Sequence, residues 1–185
     1  MALAVLAYPV HASEQDAIGS FEIARFEVRG NTLLPGQEVE RVVTPFTGRE
    51  RNFGHVQMAL EALEAAYQRR GFNVVQVALP EQELNQGVVV FQVVEAKLGA
   101  VRIEGNKTFS EANIRRSMPG LVEGQTPNIG ETSASLRLAN ENPAKKTTLQ
   151  LQRGKEDGEI AAVIKVADDK PWQLGSEVAR EREPS

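Results

Sequence analysis

The hydrophobic pattern changes its period several times along the first half of the chain. Apolar and polar residues alternate over 26–29, which predicts a strand. Apolar residues at helical spacing then predict two amphipathic helices, at about 36–44 and 54–70. Two valine-rich runs, at 72–79 and 88–94, predict strands because β-branched side chains favour extended backbone. The predicted order of elements is therefore β-α-α-β-β.

The second half of the chain repeats this order. The segment 26–32 returns 75 residues later as 101–107, and both copies end their strand at Gly-Asn, which favours a left-handed turn. The pattern then predicts a strand at 100–104, a helix starting at Ser110, a helix at 129–140, and strands at 147–152 and 160–167. A repeat of this period is typical of two small domains of one kind.

The sequence therefore predicts an α+β fold of two tandem β-α-α-β-β domains, each a three-stranded sheet packed on two helices. The predicted divisions are an N-terminal tail at 1–20, a first domain at 21–95, a second domain at 96–172 and a polar tail at 173–185. The apolar stripes predict these core residues: Val28, Val42, Leu60, Leu63, Tyr67 and Val90 in the first domain, and Ile103, Ile114, Leu136, Leu149 and Val163 in the second.

The N-terminus indicates a compartment. A short apolar run ends in Val10-His11-Ala12, which fits the small-x-small pattern before a signal-peptidase site, with Ser13 first in the mature chain. The positive residues that usually precede such a run are missing. We interpret the segment as a truncated export signal, and the alternative is a frayed tail. No run approaches the ~20 apolar residues of a membrane-spanning helix.

Composition excludes several kinds of site. The chain has no cysteine, so disulfides and thiolate metal sites are excluded, and its two histidines lie far apart, which argues against zinc. The formal net charge of −4 argues against a nucleic-acid partner. No cofactor is expected.

Carboxylate pairs are the one arrangement that suggests an enzyme. Glu61 and Glu64 are three residues apart on a predicted helix, and Asp168-Asp169 are adjacent, so either pair could serve as general acid and base. No nucleophile–base motif or phosphate-binding loop accompanies them. Solvated surface is the better interpretation, and a small hydrolase is the weaker alternative. Lys145-Lys146 has two interpretations as well, a contact with lipid phosphates or a solvated loop.

These elements resemble a known family. The helix ending at Tyr67 and running into Gly71-Phe72 is similar to the Tyr-x-x-x-Gly-aromatic corner of polypeptide-transport-associated (POTRA) domains. In the second copy, the run 138–143, the strand at 147–152 and Asp157-Gly158 resemble the membrane-proximal POTRA domain of two-partner-secretion transporters. These are the haemolysin secretion/activation proteins of Gram-negative outer membranes. The family's Pro-Gly in this hairpin reads Arg153-Gly154 here.

The resemblance implies a function in protein secretion. It implies a module at the periplasmic face of the outer membrane that receives a secreted partner polypeptide in unfolded form. In the family, the module hands that partner to an outer-membrane β-barrel in the same polypeptide. Two alternatives remain open: a POTRA module of an outer-membrane-protein assembly factor, and a structural spacer without substrate binding.

One strand stands out as the expected binding site. If the resemblance holds, the valine-rich segment 73–79 lies at a sheet edge, where an extended chain can add as a further strand. The residues expected to bind the polypeptide are Val74, Val75, Gln76, Val77 and Ala78. The alternative is that this strand merely completes the sheet and a neighbour covers its edge.

Overall fold

The computed structural model describes residues 19–83, 85–141 and 145–168. The predicted export signal and its cleavage site lie outside these residues, as do Asp169 and the polar tail at 173–185.

Eight strands and four α-helices make up the described part of the chain. In the first half these are β1 (Phe21–Ile23), β2 (Arg25–Arg29), α1 (Gly36–Val43), β3 (Gly48–Arg51), α2 (Phe53–Arg69), β4 (Val75–Ala78) and β5 (Val88–Glu95). In the second half they are β6 (Lys97–Glu104), α3 (Glu111–Arg116), α4 (Ile129–Ala139), β7 (Lys145–Arg153) and β8 (Glu159–Asp168).

Two three-stranded sheets of identical topology organise the chain. The first has the order β2-β5-β4 and the second β6-β8-β7. In each sheet the central strand pairs in parallel with the first strand and antiparallel with the other. The predicted α+β fold with repeated β-α-α-β-β order is confirmed. Since β5 ends at Glu95 and β6 begins at Lys97, we place the proposed domain boundary at Ala96.

The first half also contains a small ribbon that the sequence did not reveal. β1 pairs antiparallel with β3, although the first predicted strand begins only at residue 26 and none is predicted between the two helices. Ile23 in this ribbon is completely buried in the first core. The lead-in is therefore part of the folded domain from Phe21 onward.

Local signals position α2, the longest helix. Asn52 is its N-cap, and its side chain accepts a hydrogen bond from the His55 backbone N–H in a reciprocal capping box. The helix is followed by Gly71 at φ +89°, the left-handed conformation that glycine adopts without strain. Both features agree with the sequence prediction for this helix.

The two cores contain most of the predicted residues. Leu63, Tyr67 and Ile114 are completely buried, and the following predicted core residues pack partly buried against the two cores: Val28, Val42, Leu60, Ile103, Leu136 and Leu149. One prediction was wrong about the face of the sheet. Val90 lies opposite the core, because its neighbours Val89 and Phe91 point inward and side chains alternate along a strand.

Val163 is buried as predicted, but on the other face of its sheet. It is 3% exposed but lies outside the second core, on the face of β8 away from the helices. Its ladder neighbours are Arg102 on β6 and Gln150 on β7. Long polar side chains on the flanking strands can cover a small apolar residue in this position with their aliphatic stems.

The two domains meet through the ends of two helices, a contact that we call the helix-end joint. The C=O of Gly71, just after α2, accepts hydrogen bonds from the N–H groups of Ile129 (2.8 Å) and Gly130 (3.4 Å) at the start of α4. The Asn128 side chain caps both helices, because its Nδ2 donates to the Arg70 C=O (2.9 Å) and its Oδ1 accepts from the Glu131 N–H (3.1 Å). The negative end of one helix dipole therefore faces the positive end of the other.

Candidate functional site

The edge of the first sheet is the strand that the sequence singled out. β4 comprises Val75–Ala78, and its only ladder partner in the described residues is β5. Val74 was expected in the strand but lies in the turn that leads into it, because the chain must first reverse direction after Gly71. Val77 points into the core at 7% exposed, whereas Gln76 and Ala78 are exposed on the outer face. The expected edge position is observed, and binding there stays a prediction.

The pairing of β4 with β5 determines which backbone groups of β4 point outward, where a ligand could reach them. The Val77 N–H donates to Glu64 Oε1 on α2 at 3.3 Å, so it points away from β5. In an antiparallel ladder alternate residues face the same way, so the Val75 N–H also points outward and that of Gln76 points towards β5. The Val75 N–H makes a long turn contact with the Phe72 C=O, at 3.4 Å. Both outward donors of β4 are therefore occupied in the free chain.

An apolar cavity of about 500 Å³ lies where β4 ends. Its lining includes Leu79 just after the strand, Phe21 from β1 and Phe53 from the start of α2. Phe53 is 48% exposed, which is unusual for a phenylalanine and leaves apolar surface open at the cavity. The sequence analysis missed this cavity, because Phe21 and Phe53 lie outside the predicted strands and helices.

Hydrogen bonds hold the segment after β4 against the sheet beside this cavity. The Gln82 side chain accepts a hydrogen bond from the Val90 N–H (2.7 Å) and donates to the Val90 C=O (2.8 Å). Gln82 thus pairs with β5 at the position that β4 would reach if it continued beyond Ala78. It holds Pro80 and Glu81 against the cavity, where they form part of the wall.

A partly buried polar cluster closes the opposite end of the first domain. The Glu95 carboxylate accepts hydrogen bonds from the N–H groups of Thr32 (2.8 Å) and Leu33 (3.0 Å) and from the Thr32 hydroxyl. The Tyr67 hydroxyl donates to Asn31 Oδ1 at 2.6 Å. Burial, and then the charge and hydrogen bonding of Glu95, raise the pKa of the Tyr67 hydroxyl far above its usual range. These groups fix the turn after β2, which is a structural role.

The remaining candidate residues are explained by local contacts. Lys145 is 7% exposed and its Nζ lies 5.2 Å from the centre of the Phe109 ring, so neither interpretation describes Lys145. Lys146 is exposed on β7, and a lipid contact there stays a prediction. Glu61 accepts a hydrogen bond from the Gln57 side chain on the same helix. Among the described residues, no helix combines the length and the apolar content needed to cross a membrane.

Comparison with known proteins identifies the class. Residues 21–96 match the family described as POTRA domain, ShlB-type. The chain is 26% identical over 138 residues to the outer membrane transporter CdiB of Escherichia coli O6:K15:H31 (strain 536 / UPEC), covering 75% of this chain and 23% of that protein. It is 23% identical over 143 residues to the heme/hemopexin transporter protein HuxB of Haemophilus influenzae (strain ATCC 51907 / DSM 11121 / KW20 / Rd), covering 77% and 25%.

Solved structures agree over a larger part of the chain. CdiB from Escherichia coli superposes with a TM-score of 0.73 at 24% identity, covering 91% of this chain and 31% of that one. The N-terminal domain of Omp85 from Thermosynechococcus elongatus superposes with a TM-score of 0.65 at 22% identity, covering 83% and 68%. Both likenesses concern the fold.

The fold is thus that of tandem POTRA domains. Residues 21–96 match a ShlB-type POTRA domain, and the predicted resemblance to the transporters of two-partner secretion is confirmed. It spans 23% to 25% of the length of the curated relatives described above.

Proposed function

We propose that this chain is the periplasmic receiving module of an outer-membrane transporter. In this proposal it binds a secreted partner polypeptide in unfolded form and delivers it to a β-barrel pore. The observation that carries the proposal is the exposed edge of β4, which adjoins an open apolar cavity. A sheet edge recognises backbone rather than sequence, which suits a partner that has not yet folded.

The binding mode follows from the two residues of β4 whose backbone N–H groups point away from β5. The polypeptide pairs as a fourth strand with the backbone of Val75 and Val77, and an apolar side chain beyond the paired stretch enters the cavity beside Leu79 and Phe53. Pairing requires that Glu64 leave the Val77 N–H, which an incoming carbonyl then takes over. Glu64 is half-buried rather than locked in the core, and its contact is long, so this exchange costs little.

Two alternative functions are compatible with this fold. The likeness to Omp85 favours an assembly-factor module, which shares the fold and the sheet edge but takes a different partner. A structural spacer would need the fold but no accessible edge. Strand pairing by the isolated chain separates both binding modules from the spacer, and the identity of the partner then separates the two modules.

The proposal is tested by titrating the chain with a synthetic peptide of alternating threonine and valine, flanked by lysines for solubility. We expect the amide protons of Val75 and Val77 to become protected from hydrogen exchange when the peptide binds. The same peptide with alternate backbone nitrogens methylated should not bind, because it cannot complete the ladder. Binding that leaves these two amides unchanged would disprove pairing at β4.

Glu64→Ala tests whether the peptide competes with Glu64 for the Val77 N–H. Removal of the carboxylate should increase the affinity about threefold to tenfold, since the peptide no longer competes for the Val77 N–H. Glu61→Ala is the matched control, because it removes the same charge one turn earlier on α2 and has its partner on that helix. An equal gain in both variants would indicate a general charge effect instead. Proline at Gln76 is a poor probe, because the N–H of Gln76 pairs with β5.

A further inference from the structure

The apolar cavity beyond the end of β4 is built partly from an element that the repeat does not include. Phe21 lies on β1, and among the described residues the ribbon of β1 and β3 occurs in the first half of the chain only. Phe53 is the first residue of α2 and lies almost one turn before Val56, so the two side chains share the face of the helix that lines the cavity. The cavity therefore depends on an addition to the first domain and not on the repeated elements alone.

The size and the lining of the cavity suit an aromatic ring. Its volume is about 500 Å³, and six of its eight lining residues are apolar. A cavity of about 150 Å³ in a protein core can hold a benzene ring, so a side chain with two fused rings has room here. Phe21 and Phe53 offer two ring contacts, and pairs of aromatic rings are more favourable than the apolar area that they bury accounts for.

One polar group at the cavity is available to a ligand. The Gln82 carboxamide is engaged, because it bonds to both backbone groups of Val90 and donates to the Pro80 C=O at 3.3 Å. Glu81 also lines the cavity, and its exposed side chain makes no hydrogen bond or ion pair with the described part of the chain. None of the lining residues is basic. The rim of the cavity therefore favours a hydrogen-bond donor and disfavours a negatively charged ligand.

We propose that this cavity is a recognition pocket for a tryptophan or tyrosine side chain of the partner polypeptide. The aromatic ring packs against Phe21 and Phe53, and the indole N–H or phenol O–H donates to the Glu81 carboxylate. The inference rests on the proposed function in taking a polypeptide as the ligand. It adds a preference for one kind of side chain to a module whose sheet edge recognises only backbone.

Single amino-acid probes test the pocket without any strand pairing. The whole chain is titrated with N-acetyl-tryptophanamide, and the methyl NMR signals of Val56 and Val89 in the cavity wall report binding. We expect a Kd of about 1 mM, in the range for a ligand of this size. N-acetyl-leucinamide should bind at least about tenfold more weakly, because it lacks the ring contacts. Equal affinities of the tryptophan and leucine probes would overturn the proposal.

The role of Glu81 is tested with a probe that lacks the donor. The 1-methyltryptophan analogue has no indole N–H and should bind wild type about threefold to tenfold more weakly than the tryptophan probe. Glu81→Ala should remove this difference by weakening the tryptophan probe alone. Glu83→Ala is the matched control, because it removes an exposed carboxylate two residues further on that does not line the cavity. An unchanged difference in Glu81→Ala would overturn the assigned hydrogen bond.

Phe53→Ala tests the ring contact. It should weaken the tryptophan probe about tenfold, whereas Met58→Ala, similarly exposed on the same helix but outside the lining, should leave the affinity unchanged. Full affinity in Phe53→Ala would overturn the pocket as described. If Phe53→Ala melts well below Met58→Ala, Phe53→Leu provides the same comparison, because it removes the ring and keeps most of the apolar volume.

The outcome for the pocket is distinguishable from the outcome for the proposed function. Binding of the tryptophan probe, together with a threonine–valine peptide that fails to protect the Val75 and Val77 amides, would support the pocket and overturn pairing at β4. Protection of those amides by the peptide, together with a tryptophan probe that does not bind, would overturn the pocket and leave the proposed function standing.

Discussion

The helix-end joint predicts an unusually large cost for Gly71→Ala. Gly71 has φ +89°, and an alanine there costs about 1–2 kcal/mol in left-handed backbone strain. A Cβ would also lie 2.9 Å from Asn128 Cγ and closer still to Asn128 Oδ1. The Asn128 side chain must therefore move away, and it then loses its hydrogen bonds to the Arg70 C=O and the Glu131 N–H.

The magnitude follows from these two contributions. Two such hydrogen bonds are worth about 1–3 kcal/mol together, so the total loss of unfolding free energy should reach about 2–5 kcal/mol. Gly124→Ala is the matched control, because Gly124 has φ +82° and a Cβ there meets no atom within 4 Å. That variant should show the backbone strain alone, at about 1–2 kcal/mol.

A double-mutant cycle measures the joint directly. Urea unfolding of wild type, Gly71→Ala, Asn128→Ala and the double variant gives the four free energies. Once the Asn128 side chain is gone, Gly71→Ala should cost about 1–2 kcal/mol less than it does in wild type. Costs that add to within about 0.5 kcal/mol, or a Gly71→Ala that is no worse than Gly124→Ala, would refute the joint as described.

Three further predictions concern the core, pH and export. Leu63→Ala should lower the unfolding free energy by about 2–5 kcal/mol through a buried cavity, whereas Met58→Ala, 45% exposed on the same helix, should cost little in the same unfolding assay. The hydroxyl of Tyr67 has a raised pKa in the folded state, so its contribution to stability is complete below about pH 10 and is lost as the pH rises further. Tyr67→Phe should therefore reduce the decline of the unfolding free energy measured above about pH 10. With a complete signal sequence restored, N-terminal sequencing of the periplasmic protein should give Ser13 first, and an uncleaved cytoplasmic protein would contradict the export interpretation.

The sequence predicted those parts of the fold that local patterns determine. Asn52 before an apolar stripe, and Gly71 after it, locate α2 to within a residue because caps act over a few residues. The position of β4 at an edge followed from the repeated element order together with the family resemblance. The face of β5 could not be read, because the run 88–94 is apolar almost throughout and contains no alternation.

Contacts between distant segments determine the features that the sequence did not predict. β3 has the sequence Gly-Arg-Glu-Arg, which lacks the apolar alternation of a strand and is held in place by β1. Glu64 looked like solvated helix surface, and only the packing of α2 against β4 brings it to the Val77 N–H. Asn128 precedes the helix predicted at 129–140, and only the structure shows that it caps two helices from different domains. Nothing in the residues beside these positions encodes their partners.

The helix-end joint also gives the module a mechanical property. In the proposed function, a polypeptide drawn towards a membrane pore pulls on the module that holds it, and two domains connected only through Ala96 would bend at that residue. Here a second connection between the domains exists, because hydrogen bonds join Gly71, just after α2, to Ile129 at the start of α4. A force applied at the first sheet is thus shared between the covalent connection at Ala96 and the hydrogen bonds between the ends of α2 and α4. If the proposed function holds, these hydrogen bonds keep the angle between the two domains fixed while the polypeptide is pulled.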